Sequence, residues 1–196
     1  MQTTFCFIRH GKTEYNINKL IQGQIDNPLS KEGELDAIKV ANLIKEYKLE
    51  FDVIISSPLS RAYDTAKIVR NEINHNHLSI IKCDYFIERD FGEADGLEIN
   101  DENYQKVLND AFIGMEKSFD ICKRTKEGLN YLLNLYPGKR ILVVCHSHVI
   151  KSLFMQFDPN VKFNSTFGHH SINLINFTNE DNIFEKCNFN IKNNNF

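Results

Sequence analysis

The chain has 196 residues, 42% of them hydrophobic, enough to bury a substantial core without disulfides or structural metals. A formal net charge of -3 excludes the broad basic surface that neutralises nucleic-acid phosphates, so any positive site must be local. Cys6, Cys83, Cys122, Cys145 and Cys187 have neither zinc-knuckle nor redox spacing, which predicts reduced thiols in a cytoplasmic protein.

Phe5-Cys6-Phe7-Ile8 opens the chain as a short, continuously apolar strand, the pattern of a strand covered on both faces. Arg9, His10 and Lys12 interrupt it too early for a secretory signal, and no apolar run is long enough to span a membrane. Behind Ser30, an expected N-cap, Leu35, Ile38, Ala41 and Ile44 recur at helical spacing. Phe51-Asp52-Val53-Ile54-Ile55 is a second strand, followed by a helix that opens near Pro58 and carries Ala62, Ala66 and Val69.

Leu78-Ser79-Ile80-Ile81 is a weaker strand signal. Asn100 to Lys117 has mixed periodicity and is expected to form helical excursions over one end of the sheet, shaping a substrate pocket. Leu129, Leu132, Leu133 and Tyr136 mark a helix that ends before Pro137-Gly138. Ile141-Leu142-Val143-Val144-Cys145 is another buried strand, and Ile172 to Phe177 a strand at or near an edge. Cys6 and Cys145, inside apolar runs, read as small buried hydrophobes. The asparagine-rich tail from Asn188 to Phe196 is expected to fray. Alternating strands and helices predict an α/β three-layer sandwich, a mostly parallel sheet flanked by helices, as one domain over 1–196.

Three strand ends carry the chemistry. Arg9-His10-Gly11-Lys12-Thr13-Glu14-Tyr15-Asn16 follows the first strand, at the sheet's carboxyl end, where open α/β sheets bind ligands. There arginine offers a planar fork to phosphate oxygens, the adjacent imidazole can attack phosphorus, and glycine admits a close backbone approach. Ser56-Ser57-Pro58-Leu59-Ser60-Arg61-Ala62 sets Arg61 near a helix N-terminus, where dipole and guanidinium both favour an anion. Cys145-His146-Ser147-His148 ends the later strand and aims His146 at the same rim. Taken singly, Arg9 or Arg61 reads as a surface ion pair and His146 as a packing residue. Jointly the bland readings need three coincidences.

These strings resemble the histidine phosphatase superfamily, in its phosphoglycerate mutase-like branch, over most of the chain. The likeness rests on Arg9-His10-Gly11 with Thr13 and Asn16, and on Asp26-Asn27-Pro28-Leu29-Ser30 before Gly33. Ser57-Pro58-Leu59-Ser60-Arg61-Ala62 with Thr65-Ala66, and strand-terminal His146, complete it. The resemblance implies a phosphoglycerate mutase-like fold and a phosphate pocket of Arg9, Arg61, His10 and His146, with Asn16, Thr13 and Ser147 as further donors. It also implies Glu88 as proton donor; Asp90, Glu93 and Asp95 remain alternatives to it. Ser147 departs from the glycine that commonly follows the second histidine.

The activity implied is that of a metal-independent phosphoric monoester hydrolase of the histidine acid phosphatase type. His10 would be the nucleophile, acting on a small phosphorylated substrate through a phosphohistidine. No cofactor or metal is expected, nor a nucleic-acid or membrane partner; the oligomeric state is left open. Mutase chemistry and a non-catalytic phosphate-binding module are the alternatives. Against a mutase, Asn100 to Lys117 offers only Lys106 and Lys117 in place of the adjacent arginines of full-length mutases. Metal binding through His146, His148, His169 and His170 lacks a consistent ligand spacing.

Overall fold

The computed structural model describes residues 2–178; the expectations for Cys187 and for the tail from Asn188 to Phe196 lie outside them. The elements in chain order are β1 (Gln2–Arg9), α1 (Glu14–Ile17), α2 (Lys31–Glu46), β2 (Val53–Ser56), α3 (Ser60–Glu72) and β3 (Ile80–Lys82). After them come α4 (Asp101–Leu108), α5 (Ser118–Leu135), β4 (Arg140–Cys145), α6 (Ser147–Phe154) and β5 (Ile172–Thr178).

The five strands form one sheet in the order β3-β2-β4-β1-β5, parallel except for β5, which pairs antiparallel with β1 at the edge. The weak strand signal after Leu78 is thus the short edge strand β3, and the one at Ile172 the opposite edge.

Alternation along β1 explains its unbroken apolar run. Phe5 and Phe7 point to one face and join Leu129, Leu132, Val149, Leu153 and Phe154 from α5 and α6. Cys6 and Ile8 point to the other, against Ala37, Val40, Ala41 and Ile44 of α2 and Ala62, Ala66 and Val69 of α3. Both layers are helical, so no residue of the run can be polar without a partner. Cys6 and Cys145 are fully buried, and burial pushes both thiols up.

Helix α2 corrects the predicted phase. Ser30 caps it as expected, its Oγ accepting from Gly33 N at 3.1 Å. The buried face, however, is Gly33, Asp36, Ala37, Val40, Ala41 and Ile44, while Leu35 is exposed. Asp36 takes a core position because His170, from the loop before β5, meets its Oδ1 at 2.5 Å. A remote partner therefore overrides the apolar count. No helix among the described residues is long and apolar enough to cross a membrane.

Candidate active site

Parallel pairing levels the strand ends: Arg9 of β1 sits opposite Cys145 of β4, and Ser56 of β2 opposite Val144. The ladder runs one bond further on each side, from His10 N to the Cys145 carbonyl at 3.0 Å and from Ser57 N to the Val144 carbonyl at 2.9 Å. Arg9-His10, Ser57 and His146 consequently share one rim. Of these, Arg9 and His10 line a cleft roofed by α4 and by the loop around Gln22.

His10 is buried, and its Nδ1 lies 2.6 Å from the Gly11 carbonyl. A carbonyl only accepts, so Nδ1 carries the proton and Nε2 keeps the lone pair. Burial, then Arg61, His146 and Arg9, hold the ring well below the ordinary histidine range, so it is neutral. His169 donates from Nδ1 to the His10 carbonyl at 2.7 Å and fixes this backbone from behind.

Arg61 is fully buried in the first turn of α3, where its two terminal nitrogens donate to the Ile25 and Gly23 carbonyls at 2.8 and 2.7 Å. Burial lowers its pKa to about 10, against the pull of Glu88. The helix behind it is capped at Ser60 N by the Asp26 carboxylate at 2.7 Å, since Leu59 at the N-cap supplies no side-chain bond. Thr65 accepts from Gly11 N at 3.0 Å and donates to the Arg61 carbonyl at 2.7 Å, clamping the nucleophile's loop to α3.

His146 caps β4, its ring centroid 5.1 Å from that of His10. Ser57 Oγ accepts from Leu59 N at 3.4 Å and lies 2.7 Å from His146 Nε2. Burial, Arg61 and Arg9 hold this imidazole well below its ordinary pKa. It is a neutral ring. Two buried donors, Arg9 Nε and Arg61 Nε, have no partner among the described residues, and neither has His146 Nδ1. Buried N–H groups are rarely left so, and an anion would satisfy the two guanidinium donors.

Glu88 lines the cleft, buried, with Oε1 accepting from Arg89 N at 2.9 Å. Burial raises its pKa against the opposing pull of that N–H, Arg61 and Arg9. Asp90, Glu93 and Asp95 do not line the cleft. Asp90 accepts from Gly92 N at 2.8 Å and Glu93 is exposed. Asp95 is half-buried against Gly23, and burial, then Asp90, raises it to about 6.

Asn16 and Ser147 line the cleft as expected. Thr13 does not: its hydroxyl donates to Gln22 Oε1 at 2.9 Å, and its backbone N–H is held by Asn16 Oδ1 at 3.1 Å. It caps α1 and orients Asn16, leaving the Asn16 amide as the donor. The histidines weighed as metal ligands have other partners. His148 packs between Phe91 and Phe163, with ring centroids at 5.0 and 5.1 Å, and His170 meets Asp36. Tyr104 and Val107 line the cleft from the segment expected to shape it, whereas sequence reasoning assigns Ser57 and Thr65 no role of their own and misses Gln22 and Lys151. The last left a signal, a lone cation inside the apolar run from Val149 to Phe154.

The glycines at 11 and 33 are where the loops touch. A Cβ on Gly11 would strike the Gly33 carbonyl, and one on Gly33 the Lys12 carbonyl, both backbone atoms that cannot swing away. Gly33→Ala is therefore expected to lower stability by about 3 kcal/mol, as overpacking does. In a domain of this size that is a Tm drop of roughly 6–12 °C. Calorimetry checks it; an unchanged Tm would show that the loops part freely.

The histidine phosphatase superfamily (branch 1) matches residues 5–190 of the chain. The uncharacterized phosphatase PhoE of Bacillus subtilis is 32% identical over 163 residues, covering 82% of this chain and 81% of that protein. A 2,3-bisphosphoglycerate-dependent phosphoglycerate mutase of Parvibaculum lavamentivorans is 31% identical over 171 residues, with 81% of each chain covered. The solved structure of Bacillus stearothermophilus YhfR shares the fold with a TM-score of 0.79 at 22% identity, over 97% of this chain and 95% of that one.

Proposed function

The chain belongs to the histidine phosphatase superfamily, and from that premise we propose that it hydrolyses a small phosphate monoester through a phosphohistidine on His10. The observation that carries this reading is the neutral His10, Nε2 unprotonated, in a cleft it lines with Arg9 and Arg61, whose Nε donors are unpaired. A neutral ring is the nucleophilic form, and fixed donors disperse charge on the phosphoryl oxygens in transit.

In the first half-reaction His10 Nε2 bonds to phosphorus while the phosphorus–oxygen bond to the alcohol breaks, and Glu88 gives its proton to the departing oxygen. In the second, the Glu88 carboxylate takes a proton from water as the water oxygen displaces His10. Glu88 ends protonated and the imidazole neutral. The raised pKa of Glu88 supports its starting protonated. Because Arg9 and Arg61 supply the charge stabilisation in this reading, exhaustive chelation is expected to leave the rate unchanged.

Water is favoured over substrate as acceptor by the roof of the cleft. Helix α4 contributes Tyr104 and Val107, while Lys106 bonds Glu102 at 2.7 Å and Lys117 the Asp110 carbonyl at 2.8 Å. Neither lysine lines the cleft. A screen of phosphorylated metabolites, with inorganic phosphate and phosphoglycerate isomers both measured, tests the reading. Stoichiometric phosphate release is expected; isomerisation without net release would replace hydrolysis by mutase chemistry. The four described cysteines are free thiols, which supports the cytoplasm as the compartment.

A further inference from the structure

The cleft holds one cation that phosphoryl transfer does not use. Lys151 lies in the second turn of α6, on the face it shares with Ser147 and His148, and lines the cleft with them. It is 8% exposed, in a helix whose residues from His148 to Phe154 are all buried. Its Nζ donates to the Phe163 carbonyl at 2.8 Å, one of three N–H bonds it can make. No carboxylate lies within ion-pair distance of it among the described residues. Burying an ammonium without a counter-charge costs several kcal/mol, and an apolar residue would fill this position without that cost.

The charges in the cleft separate into two groups. A phosphate dianion is matched by Arg9 and Arg61, and Glu88 enters the reaction neutral. Lys151 is then surplus on the phosphoryl side. The roof and the wall beside it are largely apolar, with Leu20, Ile21, Phe91, Tyr104 and Val107 lining the cleft. An apolar wall takes a carbon skeleton, and a single ammonium already bonded to a carbonyl matches a monoanion better than a second phosphate dianion, which calls for a guanidinium fork.

Resting on the phosphatase reading above, we propose that Lys151 determines specificity by binding a carboxylate on the leaving alcohol. The substrates are then phosphate monoesters of carboxylated alcohols or phenols with an apolar or aromatic skeleton. Lys151 touches the leaving group and takes no part in bond making. Burial, then Arg9, lower its pKa to about 8, with Glu88 opposing. The attraction is present below that pH, where the amine is charged, and is lost above it.

The test uses matched pairs: the meta and para isomers of (carboxymethyl)phenyl phosphate and their carboxamides, whose leaving phenols are alike. For wild type at pH 7, kcat/KM for the better acid isomer should exceed that of its amide by about tenfold, mainly through KM, as for a charge-assisted bond. The ratio should fall towards one above about pH 8. It should also collapse in Lys151→Met, which keeps the packing, and survive in Lys151→Arg.

An unchanged ratio in Lys151→Met, or no acid preference in wild type, overturns the proposal. So does an equal loss for acid and amide together with weaker vanadate inhibition, which would place Lys151 on the phosphoryl group. Calorimetric binding of the corresponding (carboxymethyl)benzylphosphonates and their amides needs no turnover. If neither aryl phosphate is hydrolysed, the phosphatase reading fails, while the phosphonate pair still decides the role of Lys151.

Discussion

His10→Ala is expected to abolish turnover, a loss of at least about 10^4-fold in kcat, because no other group supplies the attacking atom. The fold should survive. The His10 side chain bonds only the neighbouring Gly11 carbonyl, while the loop is held by bonds that alanine keeps, His10 N to Cys145 O and Gly11 N to Thr65 Oγ1. Tm should therefore move far less than in Gly33→Ala. Wild type quenched during turnover should yield an acid-labile, alkali-stable phosphoenzyme that the variant lacks. Activity near wild type in the variant, or an adduct on another residue, would remove His10 as nucleophile.

Glu88→Gln should divide substrates by leaving group. An alkoxide needs its proton delivered, whereas p-nitrophenolate departs without one, so phosphorylation of His10 should fall by about 10^2–10^4-fold for an alkyl phosphate and far less for p-nitrophenyl phosphate. The water step passes through one shared intermediate and should slow for both, so that phosphoenzyme accumulates with the aryl substrate. Rapid quench resolves the half-reactions. The pH profile adds a second readout: burial raises the Glu88 pKa, the acid form acts, and wild-type kcat/KM on alkyl phosphates should decline as pH rises through that value. The variant should lose this limb. An equal loss of phosphorylation for both substrates would transfer the role elsewhere, and single replacements of Asp90, Glu93 and Asp95 would then locate it. Asp95, raised to about 6, is the first to examine.

The sequence by itself determined the frame of this protein: an α/β sheet with strands at Phe5, Val53 and Ile141, helices behind Ser30 and Pro58, and chemistry at three strand ends. These are local properties, set by side-chain period, capping residues and covalent adjacency, and so are visible in short windows. Which groups are free to act was decided only by the tertiary structure, because hydrogen-bond partners are not local. Thr13 is taken by Gln22, and His146 Nε2 by Ser57, 89 positions away. His169 secures the His10 carbonyl across 159 positions, and His170 draws Asp36 into the core across 134, displacing Leu35 to the surface. Protonation follows the same rule: the neutral imidazoles of His10 and His146 and the raised Glu88 arise from burial and from charges that only packing brings together.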